Sequence, residues 1–162
     1  MRQPSRELSL GDGVELVHGT CVALGSSAAL IRGPSGSGKS DLALRFLFLA
    51  RRGPAALEAP ILVADDQVQL AREGTRILAR APETIRGKIE VRGVGIVEVK
   101  SLAEAELRLV VDLVWPEQVE RMPDGDKAAE LLGLRIPSIQ LRPWESSAPI
   151  KLALALARAK QV

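Results

Sequence analysis

Aromatic residues are almost missing: there is no tyrosine, and two tryptophans and two phenylalanines serve a chain of 162 residues. A platform on which successive bases stack is therefore not expected. Charge gives no case for nucleic acid either. Lys and Arg number 22 against 20 Asp and Glu, a formal net charge of +2, and no basic cluster is interleaved with aromatics. The one cysteine, Cys21, excludes an internal disulfide and suits a reducing compartment. Within Thr20-Cys21-Val22-Ala23-Leu24 it is expected to be a small buried side chain. The longest apolar runs, Leu42 to Ala50 and Leu152 to Ala157, are too short to span a bilayer, and Arg45 interrupts the first. The start, Met1 to Glu7, is polar and carries no apolar signal segment. These absences lead to the expectation of a cytoplasmic address, with no membrane and no nucleic acid as partner.

What is present is a phosphate loop. Gly33-Pro34-Ser35-Gly36-Ser37-Gly38-Lys39-Ser40 fits G-x-x-x-x-G-K-[ST] at every fixed position. Ala28-Ala29-Leu30-Ile31 before it reads as a buried strand, and Ser40 to Arg52 after it reads as a helix rich in Leu and Phe. In such a loop the glycines let backbone N–H groups curl around phosphate oxygens at the positive end of the following helix. Lys39 can reach the outer phosphates, and Ser40 can offer a hydroxyl to Mg²⁺. A Gly/Ser linker would match only by accident, because Gly averages about 7% of residues and the flanking strand and helix stand where the motif needs them. The run implies binding of a nucleotide together with Mg²⁺.

Hydrophobic residues make up 46% of the chain, ordinary for one globular domain able to bury a core. Residues 1–12 read as a tail ending in the turn Gly11-Asp12-Gly13, and residues 13–162 as a single domain. Strands are expected at Val14–Val17, Thr20–Leu24, Ala28–Arg32 and Ile61–Ala64, with a hairpin of Val68–Leu70 and Thr75–Leu78 around Gly74. Arg51-Arg52-Gly53-Pro54 is expected to stop the helix after the phosphate loop. Ile89 to Val99 is β-rich but broken by Gly93 and Gly95, and Leu107 to Val114 is the most apolar strand of the second half. Glu117 to Leu132 reads as polar and partly helical, and Ile136 to Leu141 as a last strand. Pro149 to Lys160 alternates Leu and Ala like a strand, yet both are strong helix formers and Pro149 suits a first turn, so a helix is expected. The fold class is α/β, mostly β with a few helices around one phosphate site.

Transfer chemistry needs more than a phosphate loop. Asp65 and Asp66 close the apolar run Ile61-Leu62-Val63-Ala64, where one acid could face a metal and the other an incoming hydroxyl. Neighbours on a strand point to opposite faces, so the two acids share one role only if the strand has already ended. The alternative is a plain surface turn, where Asp is common. His18, the one histidine, sits at a turn before Gly19 and could be structural or touch a phosphate. Glu90 and Arg92, two apart on a strand, would project together, holding metal and phosphate or only each other. Arg121 could clamp a transferred phosphate or simply be solvated.

In series, His18-Gly19, the loop ending in Lys39-Ser40, Val63-Ala64-Asp65-Asp66, and Ile89-Glu90-Val91-Arg92-Gly93-Val94-Gly95-Ile96 resemble the C-terminal catalytic domain of the HPr kinase/phosphorylase family, from about residue 14 to about 122. The resemblance implies a P-loop kinase domain of the HPr kinase/PEP carboxykinase-like type. It implies a serine kinase acting on an HPr-like phosphocarrier of a bacterial phosphotransferase system, and a homo-oligomer, a hexamer by family likeness. It makes His18 an active-site residue and Asp66 the catalytic base, with Asp65 supporting it. Mg²⁺ would lie between Ser40 and Glu90, Arg92 would help shape the site, and Arg121 is the counterpart of the family's catalytic arginine. Two departures are visible: only about a dozen residues stand where family members carry an N-terminal domain, and the basic, Gly-containing loop tied to dephosphorylation is not recognisable in Leu141-Arg142-Pro143-Trp144-Glu145-Ser146-Ser147-Ala148-Pro149. Kinase activity is thus better supported than phosphorylase activity. A small-metabolite kinase and a non-catalytic nucleotide sensor are the alternatives; the paired acids argue against a sensor, which needs no base.

Overall fold

The structure, a computed structural model, describes residues 13–49, 57–115, 121–122 and 125–159. Strand β1 (Val14–His18) is separated from β2 (Thr20–Leu24) by Gly19 alone, and β2 doubles back on β3 (Ser27–Arg32). The chain then enters the phosphate loop and helix α1 (Lys39–Leu47). Strand β4 (Pro60–Ala64) returns antiparallel to β2, and β5 (Gln67–Glu73) with β6 (Arg76–Arg80) forms the expected hairpin around Gly74. A separate two-stranded hairpin, β7 (Lys88–Val91) and β8 (Gly95–Glu98), precedes the long β9 (Ala105–Leu113), then β10 (Ala128–Leu131), β11 (Leu134–Leu141) and helix α2 (Ala148–Ala159).

Among the described residues the main sheet has nine strands, in the order β1-β5-β6-β9-β3-β2-β4, with β11 on β9 and β10 on β11. Strand β3 runs parallel to β9 from Ser27 to Arg32, so the other edge of β9 is divided: Ala105 and Glu106 pair with β6, and Val110 to Leu113 pair in parallel with β11. Period-two alternation sends the central strands' side chains into two cores. Cys21, Ala23, Ala28 and Leu30 face β5, β6 and β10, while Val22, Leu24, Ala29 and Ile31 face the two helices. That double burial explains why β2 and β3 read as unbroken apolar runs. Burial also pushes the Cys21 thiol far above its ordinary pKa, so it is an inert core residue.

Three expectations need correction. Helix α1 ends at Leu47, short of Arg52: Phe48 is 80% exposed, and the Leu49 N–H turns back to the Phe46 carbonyl at 3.1 Å, a tightened last turn from which Leu49 packs on the core beyond the helix. The stop signal around Gly53 lies outside the described residues. Ala128–Leu131, expected to be part of a partly helical stretch, is instead a strand, with Ala129 and Leu131 buried and their neighbours exposed. Its two-residue connection to β11, Leu132-Gly133, takes φ of 49° and 74°, the double positive φ of a type I′ hairpin turn. Leucine is a rare choice at positive φ, and the turn is therefore illegible from residue type. Finally, Arg92 lies past the end of β7 and not on the strand with Glu90. The C-terminal segment, despite its period-two look, is a helix that buries Leu152, Ala153 and Leu156.

Gly19 sits where the phosphate-loop strand passes closest. A Cβ there would stand 2.8 Å from the Ile31 carbonyl oxygen, which is backbone and cannot swing away. Gly19→Ala should lower stability by about 1–3 kcal/mol, the usual cost of forcing extra atoms into packed structure. The midpoint of urea unfolding measures it, and an unchanged midpoint refutes the close approach.

Candidate functional site

Strand β3 delivers the chain to the phosphate loop at the sheet's end. Gly36 (φ 78°) and Gly38 (φ 98°) take left-handed conformations that L side chains resist, and Gly38 is the residue from which α1 starts. No side chain caps α1, whose first-turn amides are of the kind that a helix leaves for an anion. A Cβ at Gly33 would stand 2.5 Å from the Ser37 hydroxyl and 3.2 Å from its Cβ, so Ser37 would have to move. The Lys39 ammonium folds back over the loop, donating to the carbonyls of Gly33 at 2.7 Å and Pro34 at 2.9 Å. Two of its three N–H donors are thus used in fixing the loop, and the third is left to offer a phosphate. Burial lowers the Lys39 pKa, and the negative charges of Asp66 and Asp65 oppose that shift.

The acidic pair follows the end of β4, so strand alternation no longer governs it. The Gln67 N–H donates to the Asp65 carbonyl at 2.9 Å, closing a tight turn centred on Asp66 at φ 71°. Aspartate tolerates that conformation better than most residues. The turn aims the two carboxylates apart. Asp65 is buried: Oδ1 accepts the hydroxyls of Thr20 (2.9 Å) and Ser40 (2.7 Å), and Oδ2 accepts the Glu90 backbone N–H at 3.3 Å. Asp66 keeps 72% of its side chain exposed, with Oδ1 3.5 Å from His18 Nδ1. The Gly19 N–H donates to the Asp66 carbonyl at 3.0 Å. His18-Gly19-Thr20 is therefore joined residue by residue to Asp65-Asp66, through one close side-chain contact, one backbone bond and one hydroxyl bond.

The β7–β8 hairpin closes another side. Ile89 is buried in the helix-side core, which fixes the hairpin against the domain. The Val94 N–H bonds the Val91 carbonyl at 3.0 Å across a turn with Gly93 at φ 83°, as a type II turn requires. A cleft of about 460 Å³ results, lined by His18, Thr20, phosphate-loop residues, Lys39, Ser40, Asp66, Glu90 and Arg92. Glu90, Val91 and Arg92 all line it in succession, because the strand gives way to the turn there.

Of the residues singled out from sequence, the structure gathers His18, Ser35, Gly36, Gly38, Lys39, Ser40, Asp66, Glu90 and Arg92 at this cleft, with Asp65 directly behind Ser40. Gly33 and Pro34 face it only through the carbonyls that hold Lys39. Arg121 is exposed and does not line the cleft. Sequence reasoning missed Thr20, Asp41, Leu44 and Trp144, which also line it. The one available signal was Thr20, a polar residue heading an otherwise apolar strand. For a divalent cation, Ser40, Glu90 and Asp65 form a small set of hard oxygen donors beside the phosphate loop. That set suits Mg²⁺, which takes one or two carboxylates and draws the rest of its shell from phosphates and water. No cluster of three or more His, Cys, Asp or Glu side chains stands ready to hold a metal among the described residues.

A mostly β sheet with two helices at a phosphate loop is the α/β arrangement of P-loop kinases. The comparisons with known proteins are more specific. Residues 13–152 match the HPr Serine kinase C-terminal domain, and the chain belongs to that family. It is 38% identical over 146 residues to an HPr kinase/phosphorylase of Caldicellulosiruptor bescii, covering 82% of this chain and 44% of that one. An HPr kinase/phosphorylase of Alkaliphilus metalliredigens is 35% identical over 152 residues, 87% of this chain and 46% of its own length. The chain thus spans less than half the length of these curated relatives. The solved Hpr(Ser) kinase/phosphatase of Coxiella burnetii shares the fold, with a TM-score of 0.70 at 24% identity over 91% of this chain and 96% of that chain. No helix among the described residues is long and apolar enough to cross a membrane.

Asp65→Ala should destabilise the domain by about 2–3 kcal/mol, because the fully buried Thr20 hydroxyl and the Glu90 amide lose their acceptor together. Asp65→Asn, which keeps one oxygen, should fall between that variant and the wild type in chemical denaturation. Equal stability of all three would show that the carboxylate holds nothing together.

Proposed function

We propose that this chain is the catalytic unit, formed by residues 13–162, of an ATP- and Mg²⁺-dependent kinase that phosphorylates a serine on an HPr-like phosphocarrier protein. One observation carries the reading: in a member of the HPr serine kinase family, a single cleft joins Lys39 and Ser40 of the phosphate loop to the exposed Asp66 carboxylate and to Glu90. The kinase names of the relatives support the reaction class. Assembly into a homo-oligomer and a cytoplasmic address belong to the same reading.

In this mechanism the amides of Gly36 to Ser40 and the Lys39 ammonium cradle the β-phosphate, at the positive end of α1. Ser40 and Glu90 would hold the Mg²⁺, with Asp65 fixing the Ser40 hydroxyl from behind. The ion supplies charge neutralisation of the phosphate oxygens when bound. Asp66 receives the proton of the attacking serine hydroxyl and orients it in line with the γ-phosphate. His18, 3.5 Å from that carboxylate, steadies its direction. Arg92, at the hairpin turn, offers a guanidinium to the transferred group. A serine hydroxyl is a weak acid, so placement and charge stabilisation contribute more than basicity.

Asp66→Asn separates this role from folding, since asparagine also tolerates a left-handed backbone. Phosphoryl transfer from labelled ATP to an HPr-like protein should fall about 10²- to 10⁴-fold, while Mg-nucleotide affinity stays near the wild-type value. Retained turnover removes Asp66 from the role of base. Transfer to small metabolites and not to HPr-like proteins would replace the acceptor while leaving the kinase reading in place.

A further inference from the structure

One wall of the cleft has no part in the phosphate chemistry. Trp144 lies between β11 and α2 and lines the same cleft as Ser40, Asp41 and Leu44. Its six-membered ring packs on the phosphate loop: a Cβ at Gly38 would stand 3.1 Å from both Cη2 and Cζ2. Even so, 67% of the residue is exposed. Large aromatic surface left in water at the rim of a ligand cleft is a feature to explain.

The ring is also held in place. Arg45 of α1 donates to the carbonyls on either side of it, that of Pro143 and that of Glu145, the latter at 3.1 Å. The Glu145 carboxylate accepts from Lys151 at 2.6 Å and pairs with Arg142 at 3.3 Å, and its carbonyl accepts the Ala148 N–H at 3.0 Å. The connection is thus tied to both helices. Such a ring loses little freedom when something stacks on it.

We propose that Trp144 is the stacking surface for the nucleobase of a purine nucleotide whose phosphates occupy the loop Gly33 to Ser40. The inference rests on the nucleotide reading and adds the site for the base. With the phosphate chain seated at the start of α1, ribose and base must leave the loop along the cleft. The cleft continues past Ser40 along Asp41 and Leu44, about one helical turn onward, beside the indole. Stacking uses a π-face that adenine and guanine share, so one such wall adds affinity without choosing between them. A chain so poor in aromatics can therefore grip the base with a single residue while phosphates supply the rest.

The test compares MgATP, MgGTP and magnesium tripolyphosphate, the last with the same phosphate chain and no base. In the wild type both nucleotides should bind more tightly than tripolyphosphate. Trp144→Ala should weaken MgATP and MgGTP about tenfold or more and leave tripolyphosphate unchanged. Trp144→Phe should restore most of the loss. In a Trp115→Phe background, where Trp144 is the one tryptophan, its emission should respond to MgATP and not to tripolyphosphate. Equal weakening of all three ligands by Trp144→Ala, or no weakening of any, overturns the proposal, as does equal wild-type affinity for ATP and tripolyphosphate. A wild type that binds none of the three overturns the nucleotide reading itself, and this inference with it.

Discussion

The site is organised by one buried carboxylate. Asp65 collects two hydroxyls and a backbone amide, and those three donors come from β2, from α1 and from β7. Burying a carboxylate is costly unless its lone pairs are satisfied, and charge-assisted bonds such as these are stronger than neutral ones. The same bonds that make the burial tolerable fix the start of the phosphate-loop helix and the edge of the β7–β8 hairpin relative to β4. That hairpin belongs to no other sheet among the described residues, so Asp65 gives the Glu90 amide on its open edge an acceptor that no neighbouring strand supplies.

Its neighbour shows how backbone conformation, not residue type, divides labour between identical side chains. Asp65 and Asp66 have the same chemistry, yet one is buried and the other exposed. The difference arises because β4 has ended and the Gln67-to-Asp65 hydrogen bond forces Asp66 to φ 71°. Conformations of this kind persist where surrounding structure over-determines them. Here the bond from Gly19 to the Asp66 carbonyl, and the β1–β5 pairing that ends at His18 and Gln67, supply that determination. The run His18-Gly19-Thr20 and the pair Asp65-Asp66 are thus two halves of one local structure, which is why both recur in the same resemblance.

What could be read from sequence follows from the range of the interactions involved. The phosphate loop was legible because its demands are local: glycines at positive φ, a lysine and a hydroxyl at fixed offsets. The paired apolar strands β2 and β3 and the Leu/Ala helix α2 were legible for the same reason. Strand β10 was not, because its turn places Leu132 where asparagine or glycine is usual, and its pairing with β11 outweighs local propensity. The end of α1 is set by the Leu49 N–H closing on the Phe46 carbonyl, which no residue at 48 to 52 announces. Thr20 and Trp144 were missed because what they meet, Asp65 and the phosphate loop at Gly38, is far away in the chain. Glu90 and Arg92 reach the cleft together through a turn, not through the strand face that spacing suggested.

On the proposed kinase reading, the exposure of the acidic pair's outer member bears on the kind of acceptor that would suit the cleft. A kinase for a small metabolite has to exclude water with its own walls, since the substrate brings little surface. Here His18 and Asp66 remain half or more exposed, and the adjoining hairpin presents Val94 at 75% and Ile96 at 72% exposure. On the proposed reading those apolar side chains are not a liability but part of the arrangement. A protein acceptor that covers them would carry its serine to Asp66 and displace water from the cleft in the same step. Desolvation would strengthen the charge interactions at the phosphate loop only when the correct partner is docked, which ties turnover to recognition.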